Sequence, residues 1–287
     1  MHFLRLRAKI AGTRSPVELL LAFFLAVAAI PSARAQEQPD VHALASKVAT
    51  ALEQFNSKAI VVFAFPGPST FVTPMGAQLA DDLSDVLTQS SGKFKVIDRA
   101  RVVRALGSNR VAPETAADPE TAVWLAQGIG ADVVLVGRLS REGGSIQLTL
   151  DCLQVSGGKY LQSFQAAFPL TDKWNSELGA NIDPDSEVPA IRGPGADSGA
   201  SLPHCTSCPA PQIPRDARDQ AAGGTVTVEV VIGTDGKSRD IRVLKTPDHG
   251  LTVAALQAIQ KWRFSPARGA DGKPRETRMP IEVSFSH

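Results

Sequence analysis

The chain has 287 residues, of which 43% are hydrophobic and 21% charged, a balance that excludes wholesale disorder and a polytopic membrane protein. That length allows two ordinary domains. The formal net charge is +1, and no segment is basic enough to make nucleic acid a primary partner. The N-terminus reads as a secretory signal: Arg5, Arg7, Lys9 and Arg14 precede an unbroken apolar run from Leu19 to Ile30. Ala33-Arg34-Ala35 ahead of Gln36 is an A-x-A cleavage site, which places the cut between Ala35 and Gln36. The twelve residues of the run would rise about 18 Å as a helix, short of a bilayer core of about 30 Å. No cysteine stands at a lipobox, and export implies an oxidising compartment in which cysteines are read first as disulfide partners.

After a helical lead over 36–57, in which Leu44, Val48, Leu52 and Phe55 recur at helical spacing, the pattern changes. The continuous apolar run Ala59 to Phe65 predicts a strand buried on both faces, ended by Pro66-Gly67-Pro68. A helix follows with Met75, Leu79, Leu83, Val86 and Leu87 on one face and Asp81, Asp82 and Asp85 toward solvent. Phe94 to Ile97 is a short strand, and Asp98 is placed to cap a helix over 99–106 that stops at Gly107. Asp118-Pro119-Glu120 starts another helix, which ends at Gly128 or Gly130. Asp132 to Gly137 returns as a buried strand. Ile146, Leu148, Leu150 and Cys152 alternate with polar residues, and after Ser156-Gly157-Gly158-Lys159 the chain comes back over Tyr160 to Phe168. The fold class is therefore α+β, with an N-terminal α/β sandwich over 58–170.

Residues 171–208 hold several prolines and glycines and little apolar periodicity, and predict an extended, acidic linker. Beyond it Thr225 to Val230 alternates perfectly, Asp235-Gly236 signals a hairpin turn, and Ile241 and Val243 continue the partner strand. Leu251, Ala254, Ala255, Ala258, Ile259 and Trp262 mark a helix face, and Ile281, Val283 and Phe285 a last strand. The product over 209–287 is a small ββαβ domain.

Pro211-Gln212-Ile213-Pro214, Ala217-Arg218, Gly224-Thr225-Val226-Thr227-Val228, Asp235-Gly236 and above all Trp262-Arg263-Phe264-Ser265-Pro266 resemble the TonB C-terminal family. The resemblance implies a non-catalytic module of the Gram-negative periplasm that binds outer-membrane transporters by β-augmentation, a partner peptide adding as a strand to an open sheet edge. By that resemblance the docking edge is the strand around Thr277, Arg278, Met279, Ile281, Glu282 and Val283, interrupted by Pro280, which lacks a donor. Gly224, Val226, Val228, Asp235, Gly236, Trp262, Arg263, Phe264 and Pro266 are its structural motif residues. Trp262 is expected as a core plug beneath the sheet, with Arg263 exposed. The chain departs from the family's energy transducers in two ways: a cleavable signal replaces their membrane helix, and a folded domain replaces their long spacer. Ile213 also stands where the family often has tyrosine. If the N-terminal segment were retained instead, the reading would become a membrane-anchored energy transducer supporting transport. Residues 58–168, with Val96-Ile97-Asp98-Arg99 and Ala126-x-Gly128-x-Gly130-Ala131-Asp132, resemble the curli-secretion, flagellar outer-membrane and TolB amino-terminal families, which are envelope-assembly modules.

Cys205-Thr206-Ser207-Cys208 lacks the strand-to-helix setting of a redox site and the four ligands of a zinc site, so a local disulfide is its reading. Cys152 is read as a buried free thiol. Asp98-Arg99 reads as a helix cap with a surface ion pair, with a functional pair as the alternative. The histidines are scattered, and Gly128-x-Gly130 lacks both the third glycine and the following helix of a dinucleotide site. No catalytic residue, metal site or cofactor is predicted. The partners expected are an envelope protein and, through sheet edges, a second copy of the chain.

Overall fold

The computed structural model describes residues 41–90, 92–178, 201–247 and 249–286. The signal segment with Ala35 and Gln36, and 179–200 of the expected linker, lie outside them. By its contacts Pro39–His287 is one compact unit.

The N-terminal half is built on five strands: β1 (Ala59–Val62), β2 (Lys95–Val96), β3 (Val133–Glu142), β4 (Ser145–Gln154) and β5 (Tyr160–Pro169). They lie in the order β2-β1-β3-β4-β5, with β2, β1 and β3 parallel and the β3-β4-β5 meander antiparallel. Helices α1 (Val41–Gln54) and α2 (Pro74–Ser90) bury Leu44, Val48, Leu52, Leu79, Leu83 and Leu87 against Ile60, Val62, Leu135 and Leu150 on one face. Helices α3 (Arg99–Asn109) and α4 (Pro119–Gly128) bury Val102, Leu106, Ala122 and Leu125 against Val61, Phe63, Val134 and Val136 on the other. The continuous apolar runs of β1 and β3 follow from this double cover. Asp98 and Asp118 cap as expected, accepting from the backbone N–H of Arg101 (2.9 Å) and of Thr121 (2.9 Å). Arg99 pairs with Asp81 across to α2 at 3.5 Å. Burial raises the Asp81 carboxyl's pKa, and Arg99 opposes that shift.

Several elements depart from the sequence reading: β1 ends at Val62 and not Phe65, and β3 runs past Gly137 to Glu142. Helix α3 does not stop at Gly107 but runs to Asn109, and Arg110 terminates it in the left-handed region at φ 55°. A lone glycine costs a helix only about 1 kcal/mol, and the tail of α3 is held from outside, as described below. The expected linker also carries structure. Helix α5 (Asp172–Glu177) is capped by Thr171 and sets Trp174 edge-on to Phe168 at 6.0 Å, and a strand, β6, occupies His204–Ser207.

The C-terminal half begins with the short helix α6 (Arg215–Asp219). Its three-stranded sheet has the order β12-β7-β8, from β7 (Gly224–Ile232), β8 (Ser238–Lys245) and β12 (Thr277–Phe285). Helix α7 (Leu251–Ile259) lies across it, burying Leu251, Ala255 and Ile259 against Val226, Val228 and Val230. This is the ββαβ arrangement expected. Short strands β9 (Arg263–Ser265), β10 (Ala267–Arg268) and β11 (Pro274–Arg275) lie between α7 and β12; β9 pairs with β6, and β10 with β11.

The two halves are not beads on a linker. The apolar residues of α7, β7 and Ile241 are continuous with those of α3, α4 and the first sheet in one core. Arg110 and Gln260 tie the ends of α3 and α7 together: Arg110 Nη1 donates to Gln260 O (3.2 Å), and Gln260 Nε2 to Asn109 O (2.6 Å). Glu120 of α4 accepts from the N–H of Gly250, which precedes α7, at 2.8 Å.

Candidate partner-binding edge

A three-stranded sheet has two edges, and each presents unpaired backbone groups unless something covers it. Here the two edges differ. On the β8 side the chain engages its own edge at Ile241. The N–H of Ile241 donates to Arg110 O (3.0 Å), and the N–H of Ala112 returns to Ile241 O (3.0 Å), as a parallel bridge between Val111 and Ile241. Thr115 Oγ1 adds a bond to the same carbonyl at 2.9 Å. A bulge prepares this contact. Glu229 opposes Arg242 and Val231 opposes Arg239, leaving an extra residue on β8, with Asp240 in the left-handed region at φ 47°. On the other side β12 pairs with β7 along its whole length and has no further strand beyond it among the described residues.

The side chains of β12 alternate. Met279, Ile281, Val283 and Phe285 lie on the core side, with Val283 and Phe285 buried and Met279 and Ile281 partly so. Pro280, Glu282 and Ser284 are exposed on the opposite face, and Thr277 is half-buried. Arg278 shares that second face but is buried. Its guanidinium bonds Asp240 and reaches Glu229 at 3.2 Å. Arg242 joins the same carboxylates, Asp240 at 2.9 Å and Glu229 at 3.6 Å, and it also bonds Glu114 of the 3₁₀ turn Pro113–Ala117. Phe71 of the N-terminal half lies 5.0 Å beneath the Arg242 guanidinium. Arg278 is thus committed by its side chain to a buried ion network that spans both halves, while its backbone remains on the open edge. Nothing in the local sequence signals this, because Glu114 and Phe71 come from far along the chain.

The motif residues hold the module together. Val226 and Val228 are fully buried, and Gly224 opens β7 opposite Phe285. Gly236 has φ 73°, and a Cβ there would meet the Phe264 carbonyl oxygen at 2.1 Å; Gly236 O accepts from the Phe264 N–H at 2.9 Å. Asp235 Oδ1 accepts from the Lys237 N–H at 3.0 Å, and that bond holds the carboxyl below its usual range. The Trp-Arg-Phe segment therefore docks on the Asp235-Gly236 turn. Trp262 is not the core plug expected. Phe264 takes the buried position, while Trp262 is half-buried, edge-on to Phe264 at 6.2 Å, and donates from Nε1 to Pro209 O at 2.9 Å. Arg263 is exposed and Pro266 half-buried. Cys205 of β6 forms a disulfide with Cys208 just beyond the strand, and β6 pairs with β9, so the segment before the motif is fastened to it. Cys152 is a buried free thiol whose pKa burial pushes up to about 12.

The class is a small antiparallel sheet with one helix across it, one edge engaged at Ile241 and the other without a further strand among the described residues. Residues 209–286 match the family model described as the Gram-negative bacterial TonB protein C-terminal, so this part of the chain is similar to that domain. The C-terminal domain of LpoB from Salmonella enterica aligns at 19% identity over 45% of this chain and 95% of its own, with a TM-score of 0.38. That of Escherichia coli aligns at 18% over 45% and 97%, at 0.37. The Pseudomonas aeruginosa TonB C-terminal domain aligns at 29% over 32% of this chain and 90% of its own, at 0.27. TM-scores this low carry no functional equivalence. Among the described residues no helix is long and apolar enough to cross a membrane, and no group of three or more His, Cys, Asp or Glu is arranged to hold a metal ion.

Proposed function

We propose that this protein is a periplasmic adaptor whose TonB-like module docks an envelope protein, in the first instance an outer-membrane transporter, by adding a strand of that partner to β12. The observation that supports this most is the asymmetry of the sheet: β8 is engaged at Ile241 by residues 110–112 of the same chain, and β12 has no further strand beyond it among the described residues. Pro280 fixes which amides point outward. A proline is tolerated in a strand only where its missing N–H would not bond the neighbour. The outward set is therefore Arg278, Pro280, Glu282 and Ser284, and the donors offered to a partner are the amides of Arg278, Glu282 and Ser284. The gap at Pro280 directs the partner to the Glu282–Phe285 end.

The test is photo-crosslinking from position 284 in cells, followed by hydrogen exchange with a peptide from the envelope protein captured. Slowed exchange at Glu282 and Ser284, abolished by Glu282→Pro, is expected; a bound peptide that leaves these amides unprotected overturns the reading. A second reading, a membrane-anchored energy transducer, requires the N-terminal segment with the run Leu19 to Ile30 to be retained. Sequencing the mature N-terminus separates the two: a chain beginning at Gln36 rules out the anchor.

A further inference from the structure

The first sheet has an open edge of its own. At one side β2 is two residues long, and Lys95 stands exposed on it, a short and charged edge of the kind that resists pairing. At the other side β5 runs for ten residues, Tyr160–Pro169, pairs with β4 and has no strand beyond it among the described residues. It carries no charged residue, and its only proline is the last residue. Such an edge invites pairing with another strand.

The outward amides of β5 can be assigned. The N–H of Leu170 donates to Gly144 O at 3.0 Å, continuing the register in which Ser145 opposes Pro169 and Ile146 opposes Phe168. Antiparallel pairs alternate between bonded and non-bonded, so Phe168, Ala166 and Phe164 bond β4. Ser163, Gln165 and Ala167 then point their N–H and C=O groups away from the sheet. Pro169 falls in the outward set, as a proline must.

We propose that β5 is a homodimer interface, with a second copy pairing antiparallel to the first about a two-fold axis at Gln165. The pattern is self-complementary in this register. Gln165 meets Gln165 of the second copy, and Ser163 meets Ala167, so every outward amide faces an outward carbonyl. On the core-side face Phe164 falls beside Ala166 of the second copy, which prolongs the apolar row that contains buried Phe164 and Phe168. No like charges are opposed within the strand. Beyond its ends stand Lys159 and Asp172, both exposed, and antiparallel pairing brings the Lys159 end of one strand beside the Asp172 end of the other. Lys173 turns back to Glu177 at 3.8 Å. The β12 edge is less suited to self-pairing, since Pro280 interrupts its donors and Glu282 adds a charge. A dimer through β5 would join the two first sheets into one continuous sheet and leave both β12 edges open, presenting two docking edges per particle.

Sedimentation equilibrium of Pro39–His287, the compact unit, tests this. A dimer is expected. Gln165→Lys places like charges face to face at the axis and should raise the dimer dissociation constant roughly tenfold or more at low salt. Gln165→Glu should do the same, and mixing the two variants should restore a dimer. Gln165 is exposed, so the urea midpoint of monomeric variants should stay unchanged. Glu282→Pro should leave the dimer intact. A monomeric wild-type chain, a dimer that both Gln165 variants leave unaltered, variants that fail to recombine on mixing, or a dimer dissociated by Glu282→Pro overturns the proposal.

Discussion

The two edges of the C-terminal sheet are made by the same kind of chain and meet opposite fates. β8 carries a bulge and a left-handed Asp240, and its backbone is taken up by Arg110 and Ala112 of the N-terminal half. β12 is regular, pairs with β7 from Thr277 to Phe285, and has no further strand beyond it among the described residues. An unpaired edge is a liability unless it has a use. In this chain one edge is engaged internally at Ile241, and that contact is continuous with a core and an ion network that join the module to the N-terminal half. The TonB-like domain therefore leaves the β12 edge without a further strand among the described residues, on a particle whose other half shares its core.

That contrast can be tested from its strongest element downward. Arg242 is buried, touches Glu114, Asp240 and Glu229, and holds the covered side. Arg242→Met should cost about 3–5 kcal/mol in urea unfolding, because it leaves buried carboxylates uncompensated. A loss below about 1 kcal/mol would mean that the network does not hold the halves together. Next in size is an alkaline effect that lies on neither edge. The Cys152 thiol is held at about 12 in the folded state against an ordinary 9.0. The unfolded chain therefore loses this proton first, and stability should fall as the pH rises from 9 toward 12. The full fall is on the order of 4 kcal/mol from this group. Cys152→Ala should flatten that slope, as read from urea midpoints at pH 8 and above. Thr115→Val removes the hydroxyl bond to Ile241 O but leaves the Ala112 bond, so about 1 kcal/mol is expected. Smallest in stability is Glu282→Pro on the open edge, at about 0.5 kcal/mol or less, although it should abolish partner protection of the β12 amides. A larger destabilisation there would mean that the amide of Glu282 faces β7 and that the outward set has been assigned the wrong way round.

Much of this molecule is legible in its residues. The alternation of Thr225 to Val230, the apolar spacing of α7 and the Asp235-Gly236 turn are local patterns, each with a period set by backbone geometry. Asp98 and Asp118 cap because an oxygen one turn away from a helix's first amides is a local matter. The Cys205–Cys208 bridge joins residues three apart in sequence. Strand β6 was not legible, since four exposed residues have no pattern of their own and become a strand only because β9 lies alongside. Nor was the end of α3, where Arg110 is held by Ile241 and Gln260 from the other half. Trp262 carried a sequence signal for burial, but size alone did not say that Phe264 would take the core and leave the indole to bond Pro209.

By itself, then, the sequence determined most of the elements, their chain order and the resemblance of 209–286 to the TonB C-terminal family, because hydrophobic period, caps, turns and the Trp-Arg-Phe motif act over a few residues. Only the tertiary structure decided which edge of the sheet is covered. That choice depends on Glu114, Val111 and Phe71 meeting Arg242 and Ile241 across more than a hundred residues of chain, and no local pattern records such a meeting.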